Sequence, residues 1–109
     1  MQKRKKIQSA ERGEYQKLED IVGCKWSVSV LLAVQAGVNR PGALEREIEG
    51  ISTKVLSERL RKLTAYGVLD KKTYAEVPPR TEYALTKSGS RLVRIIGQIQ
   101  ALDAEISGQ

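Results

Sequence analysis

The hydrophobic positions between residues 15 and 36 predict two successive helices. Those of the first helix share one face, at intervals of three and four residues: Tyr15, Leu18, Ile21 and Val22. Gly23 interrupts this pattern, and apolar side chains then occupy nearly every face of residues 25–36. A helix that is apolar on most faces is typically buried at the centre of a domain, and Gly37 ends this one. We expect Trp26, near its start, to anchor the core.

The next segment predicts two further helices separated by a short turn. Pro41 suits the first position of a helix, where its missing N–H has no partner to lose, and this helix reaches about Ile48. After Gly50, the hydroxyl of Ser52 is placed to cap another helix, which continues to Gly67, a typical helix end. The order of helix, short turn and helix is that of a helix-turn-helix.

After this helix the hydrophobic period changes. Residues 68–74 and 81–86 are strand-like, with apolar and polar side chains alternating in the second of them. Pro78 and Pro79 cannot both lie in a central strand, so they predict a stiff hairpin tip. A last helix follows from about residue 87 to residue 106. A helix-turn-helix followed by a two-stranded hairpin is a winged helix, so the expected fold class is mainly α with a small β hairpin.

The helix that follows Ser52 has two different faces. Leu56, Leu60 and Leu63 form an apolar stripe that predicts the buried side. The opposite side carries short hydroxyls and long cations: Thr53, Lys54, Ser57 and Arg61. Hydroxyls and cations donate to base edges and phosphates, and the N–H groups behind Ser52 can take a phosphate. The pattern therefore predicts a helix that enters the major groove of double-stranded DNA, although an ordinary solvated face has the same composition.

The predicted hairpin adds three cations: Lys71, Lys72 and Arg80. Arg80 directly follows Pro78 and Pro79, and we expect this rigid pair to hold it away from the body of the domain, where it can contact DNA. The alternative is that Arg80 pairs with Glu76 or Glu82 across the hairpin. These two interpretations lead to different roles for the same guanidinium.

The last helix carries an apolar stripe at alternating intervals of three and four residues: Leu92, Ile95, Ile99, Leu102 and Ile106. Val93 and Ile96 widen it. A domain this small cannot cover the whole stripe, and exposed apolar stripes usually mark association. We therefore expect a homodimer.

The chain has 109 residues, which is one domain, and its net charge of +6 favours a polyanionic partner. Residues 1–13 are basic and poor in apolar side chains, so we expect a flexible tail there and the folded domain over residues 14–109. No run of 18 apolar residues and no signal peptide pattern occurs in the sequence. We expect no membrane partner.

The residue counts exclude several kinds of chemistry. The chain contains no His and one Cys, which excludes His-based catalysis, His-ligated metals, an intrachain disulfide and a thiolate cluster. An enzyme would need a Ser–Lys or carboxylate device, and no such spacing stands out. We expect no cofactor, no catalysis and a cytoplasmic protein.

The sequence closely resembles the HxlR family of bacterial regulators over roughly residues 14–102. Its most specific stretch is residues 74–86, in which Val-Pro-Pro-Arg separates two strands and Tyr-Ala-Leu-Thr follows. Further matches are residues 21–26, residues 50–52 and residues 66–69. The resemblance implies a dimeric winged-helix transcription factor that binds DNA through the helix after Ser52 and the hairpin around Arg80. It also implies that the first and last helices form the dimer, which adds Tyr15 and Leu18 to the expected contacts.

The leading interpretation is a DNA-binding regulator in which Cys24 is inert. Two alternatives stay open. A winged helix can bind protein, in which case the exposed face of the helix after Ser52 should be apolar. Cys24 can be a reactive thiol, because Lys25 beside it favours a thiolate. Against this, free cysteines are often buried and inert. The Cys-Pro pair of thiol-sensing family members is also missing, since Gly13 and Glu14 stand in its place.

Overall fold

The structure is a computed structural model that describes residue 6 and residues 12–108. These residues form five helices and one antiparallel two-stranded sheet. The elements in chain order are α1 (Arg12–Val22), α2 (Lys25–Gln35), α3 (Pro41–Glu47), α4 (Thr53–Ala65), β1 (Leu69–Tyr74), β2 (Arg80–Leu85) and α5 (Lys87–Ser107). The predicted winged helix-turn-helix is confirmed. Most of the expected basic tail lies outside the described residues, and its last two residues already belong to α1.

The helix ends follow local chemistry. The Ser52 hydroxyl accepts a hydrogen bond from the Val55 N–H at 3.1 Å, which caps α4 as predicted. Gly67 has a φ of +81°, a left-handed conformation that a residue with a Cβ rarely adopts, and it ends the last turn of α4. These two signals set the length of the helix that carries the candidate DNA-reading side chains.

The core is built around α2, which packs against α1, α3, α4, α5 and β2. Val30 and Leu31 are fully buried, in agreement with the prediction of a central helix. The apolar stripe of α4 meets them from one side. Trp26 is only partly buried, because it lies in the first turn of α2, and it packs against the edge of the core rather than anchoring its centre.

The hairpin of β1 and β2, which we call the wing, is fixed to the helices by its second strand. Its register pairs Leu69 with Leu85 and Tyr74 with Arg80. The Tyr83 N–H donates to the Asn39 carbonyl at 2.8 Å, which joins β2 to the loop between α2 and α3. The wing therefore keeps a defined position relative to the helix-turn-helix.

The first half of α5 packs in the core and the second half leaves it. Leu92, Val93 and Ile96 are buried, whereas Ile95, Ile99, Leu102 and Ile106 are 38–63% exposed. The assignment of Leu92 to the dimer surface is thus wrong for the protomer, because this leucine is 3% exposed and belongs to the core.

Candidate nucleic-acid interface

The outer face of α4 has the composition that the sequence predicted. Lys54, Ser57 and Arg61 are exposed, and the three leucines of the opposite stripe are buried. Thr53 is exposed as well, but its hydroxyl donates to a carboxylate oxygen of Glu45 in α3. The hydroxyls of Ser52 and Thr53 therefore fix the start of α4, and the free side chains of this face begin at Lys54.

A groove of about 520 Å³ joins α4 to the wing. Ser57 and Arg61 line it from α4, Lys71 lines it from β1, and Pro41 lines it from the first turn of α3. The structure thus brings two predicted recognition residues and one predicted wing residue to the same surface. When a helix occupies the major groove of DNA, the sugar-phosphate backbone runs beside it. Cations at the edge of the helix can then contact the phosphates.

The three predicted wing cations do not share one face. Lys71 lies opposite Tyr83, whose side chain is buried against the helices, so Lys71 is on the face of the wing nearer α4. Lys72 lies opposite Glu82 and Arg80 lies opposite Tyr74, on the other face of the hairpin. Successive residues of a strand point to opposite faces, which separates Lys71 from its neighbour Lys72.

Arg80 does not project away from the domain, which corrects the expectation based on the two prolines. Its Nε lies 3.3 Å from Glu82 Oε2, and its Nη2 lies 3.5 Å from Glu76 Oε1. Its guanidinium also stacks 4.0 Å from the centre of the Tyr74 ring, its partner across the strands. The attraction of two carboxylates and an aromatic ring keeps the Arg80 guanidinium against the wing, even though the two prolines stiffen the preceding turn.

The sequence interpretation missed Arg40, at the N-cap of α3. Its Nε lies 3.8 Å from Glu82 Oε2, so one carboxylate oxygen faces the two arginines Arg40 and Arg80. The side chain of Arg40 is 54% exposed. Its position directly before Pro41, where a helix was predicted to start, indicates an exposed cation at the edge of the helix-turn-helix. The pairing with Glu82 was not predictable, because Glu82 lies far along the chain.

Cys24 occupies the N-cap of α2 and is half-buried. Burial raises the pKa of its thiol, but the N–H and hydroxyl of Ser27 stabilise the thiolate and lower the pKa. The N–H of Trp26 and the charge of Arg59 act in the same direction, and the net pKa lies below its ordinary value. No capping hydrogen bond to the neutral sulfur has normal geometry, so the donors act as nearby dipoles on the charged form. Lys25, the expected cause, is not among these groups.

The expected dimer residues outside the core are exposed apolar side chains on α1 and α5. Tyr15 and Leu18 of α1 are 51% and 47% exposed. A cleft of about 350 Å³ between the two helices is lined by Leu18, Ile95 and the start of α5. Exposed apolar side chains on two neighbouring helices are typical of an association surface.

Other kinds of site are not seen in the described part of the chain. No helix there is long and apolar enough to cross a membrane. Among residue 6 and residues 12–108, no group of three or more Cys, Asp or Glu side chains is placed to hold a metal ion.

The fold and the exposed basic helix define a winged helix-turn-helix protein of the DNA-binding class. Residues 21–109 match the family described as HxlR-like helix-turn-helix. The chain belongs to this family and is a transcriptional regulator of the helix-turn-helix type.

Individual relatives are consistent with this family. The chain is 36% identical to an HTH-type transcriptional regulator of Synechocystis over 90 residues, 83% of this chain and 67% of that protein. Among solved structures, it is similar to the HTH-type transcriptional regulator YtcD with 31% identity and a TM-score of 0.77, over 86% of this chain and 96% of that one. It is also similar to the oxidised form of the redox regulator HypR, with 29% identity and a TM-score of 0.73, over 84% and 94% of the two chains.

Proposed function

We propose that the protein binds double-stranded DNA sequence-specifically as a homodimer, with α4 in the major groove of each half-site. The observation that carries this proposal is the groove in which Ser57 and Arg61 of α4 meet Lys71 of the wing. In this arrangement Arg61 donates to base edges while Lys71 contacts the adjacent backbone. A two-fold dimer then reads a pseudo-palindrome whose half-sites are about one helical turn, or a multiple of it, apart.

The composition of the exposed face of α4 also favours DNA over a protein as the binding partner. Lys54 and Arg61 are cationic and Ser57 is a hydroxyl, all three exposed. A helix that docks into a protein groove presents apolar anchors instead. Selection of bound sites from a random duplex pool tests the choice, because a protein-binding module enriches no sequence.

Binding is expected to depend strongly on salt. Four of the predicted DNA-binding cations are exposed on α4 or the wing of each protomer: Lys54, Arg61, Lys71 and Lys72. If about six to eight of those in a dimer reach phosphates, log K falls with log salt at a slope of about −5 to −7. Titration of a selected duplex at several salt concentrations measures this slope, and an affinity that does not change with salt would contradict DNA binding.

Arg61→Ala is expected to relax sequence choice. A bidentate arginine contact to a base contributes roughly 1–3 kcal/mol of discrimination, so the ratio of specific to random duplex affinity should fall about 5- to 150-fold. Arg94→Ala removes the same charge from an exposed position on α5 and should leave that ratio unchanged. An unchanged ratio for Arg61→Ala would show that Arg61 does not read bases.

A second candidate function is regulation through the thiol of Cys24. Two observations favour it: the pKa of this thiol is below its ordinary value, and a similar structure is described as a redox regulator in its oxidised form. Cys24 begins α2, the helix that packs against α4, so a group added to the sulfur could displace the helix that reads DNA.

The thiolate hypothesis predicts a specific pH dependence. Because the folded pKa is lowered, alkylation of Cys24 by a maleimide should reach half its maximal rate at a lower pH than alkylation of a free cysteine peptide. Arg59→Gln removes one of the groups that lower this pKa and should shift the curve back towards higher pH. Fast labelling with release of DNA supports regulation, whereas slow labelling with unchanged affinity supports a structural Cys24.

A further inference from the structure

The outer face of the wing carries a cluster in which one carboxylate serves two arginines. Glu82 Oε2 lies 3.3 Å from Arg80 Nε and 3.8 Å from Arg40 Nε. Arg80 belongs to the wing, whereas Arg40 begins α3, so Glu82 connects the hairpin to the helix-turn-helix through charge. Glu76 Oε1 also lies 3.5 Å from Arg80 Nη2, so the two guanidinium groups face two carboxylates and the local charge is balanced.

The two arginines differ in what remains free for a ligand. Arg80 faces Glu82 with its Nε, Glu76 with its Nη2 and Tyr74 with one face of its guanidinium, although the buried Nε makes no hydrogen bond of normal geometry. Its side chain is 29% exposed. A DNA contact by Arg80 would have to replace these interactions, so Arg80 is part of the wing's own packing.

Arg40 is held through Nε alone, on a side chain that is 54% exposed. Within the described residues, no ion pair or hydrogen bond engages its two Nη nitrogens. The two Nη groups of an arginine form the planar fork that binds two oxygens of a phosphate at once. The pair with Glu82 is 3.8 Å long, so its attraction orients the side chain electrostatically and not through a hydrogen bond.

Arg40 adjoins the candidate DNA interface along the chain, although its partner Glu82 lies on the other face of the wing. The next residue, Pro41, lines the groove that contains Ser57 and Arg61. The hydrogen bond from the Tyr83 N–H to the Asn39 carbonyl, 2.8 Å long, fixes the residue before Arg40 to the strand that carries Glu82. Two neighbouring backbone positions thus hold the arginine and its carboxylate in register.

We propose that Arg40 contacts a DNA phosphate beside the half-site and that Glu82 is the positioning residue that holds it. Arg80 stabilises the wing and contributes no phosphate contact. This inference rests on the proposed DNA-binding function. It assigns the phosphate contact at this edge to Arg40, the N-cap of α3, and not to Arg80, which follows the two prolines.

The salt dependence of binding separates these roles. Arg40→Ala should make the slope of log K against log salt less steep by about 0.9 for each protomer, on specific and random duplexes alike. Arg40→Lys keeps the charge and should keep the slope, with weaker binding because the fork is lost. Arg80→Ala should leave the slope unchanged and lower the melting temperature. Thermal unfolding of every variant identifies a loss of affinity that comes from misfolding.

Glu82→Gln tests positioning, because simple electrostatics predicts the opposite result. Removal of a negative charge near DNA should tighten binding if Glu82 is only a nearby anion. If Glu82 positions Arg40, Glu82→Gln should bind DNA more weakly than the wild type. In an Arg40→Ala background, the same change should cause no further loss of affinity. This double-mutant cycle needs only the intact protein and one selected duplex.

The results that would overturn the inference are distinct from those that would overturn DNA binding. A salt-dependent wild-type protein whose slope is unchanged in Arg40→Ala contradicts the inference alone. So does an equal loss of slope in Arg80→Ala, or tighter binding by Glu82→Gln in the presence of Arg40. A wild-type protein without salt-dependent duplex binding contradicts the proposed function itself.

Discussion

Replacing Ile95 and Ile99 together by lysine is expected to leave the protein monomeric and to reduce its affinity for a two-site operator about 10²- to 10⁴-fold. Both side chains lie on the exposed stripe of α5, 38% and 43% exposed. The buried side chains Val93 and Ile96 point to the core and are unchanged. Two unpartnered ammonium groups in an apolar interface cost several kcal/mol, because even an uncharged polar group buried without a hydrogen bond costs about 2–7 kcal/mol. The fold should survive while the dimer does not.

Sedimentation and light scattering of the variant, with unfolding followed by circular dichroism, measure this effect. Gln100→Lys with Ala104→Lys is the matched control, since it adds two charges at the same spacing on exposed positions of α5 away from the stripe. The control should stay dimeric and bind DNA. A wild-type protein that is monomeric at high micromolar concentration would contradict the proposed dimer, as would a dimeric Ile95→Lys, Ile99→Lys variant.

The helices and their ends were predictable because their signals are local. The alternation of intervals of three and four residues identifies a buried face within one helix, as the stripe of Leu56, Leu60 and Leu63 shows. The Ser52 hydroxyl acts on an N–H three residues away, and Gly67 acts through its own backbone angles. Such signals need no knowledge of the tertiary fold.

The candidate site was predictable in part. The exposed face of α4 follows from helix geometry, so Lys54, Ser57 and Arg61 lie where the pattern placed them. Strand alternation predicts that Lys71 and Lys72 point to opposite faces of the wing, but their shared charge led us to group them. The groove between α4 and β1 depends on the angle at which the wing packs against the helices. The sequence pattern does not predict this angle.

The interactions of the arginines depend on register and on distant partners. Arg80 meets Tyr74 because the hairpin pairs these two positions, which a shift of the strands would change. Arg40 meets Glu82 across 42 positions of the chain, through a loop fixed by the Asn39 carbonyl. Charge pattern alone identifies such residues as cations and leaves open which of them are free to bind phosphate.

Leu92 shows a similar limit within a regular helix. It follows the three- and four-residue intervals of the exposed stripe, yet it is 3% exposed. The stripe is continuous in sequence, but the body of the domain covers its first part and leaves the rest uncovered. The first turn of α5 lies against the Val68 carbonyl, directly before β1, and a Cβ at Gly89 would prevent this approach. We expect this contact to set the direction in which the helix leaves the body.

Gly89→Ala is expected to be the most destabilising single methyl addition in α5. A Cβ at this position would lie 2.0 Å from the Val68 carbonyl oxygen and 3.0 Å from its carbon, so backbone would have to move. Overpacking of a core costs typically about 1–3 kcal/mol, and an obstacle of backbone atoms places this variant at or above the upper end. For a domain of this size, the melting temperature should fall by roughly 10 °C or more.

Gly97→Ala in the same helix is the control, because its Cβ would meet nothing within 4 Å. Replacing a glycine inside an exposed helix by alanine stabilises by roughly 0.5–1 kcal/mol, so the melting temperature of this variant should rise. Thermal unfolding of the two proteins compares the same chemical change with opposite expected signs. A melting temperature of Gly89→Ala equal to that of the wild type would show that α5 can move away from Val68 without cost. In that case the close approach at Gly89 would not be what fixes the direction in which the exposed stripe leaves the domain.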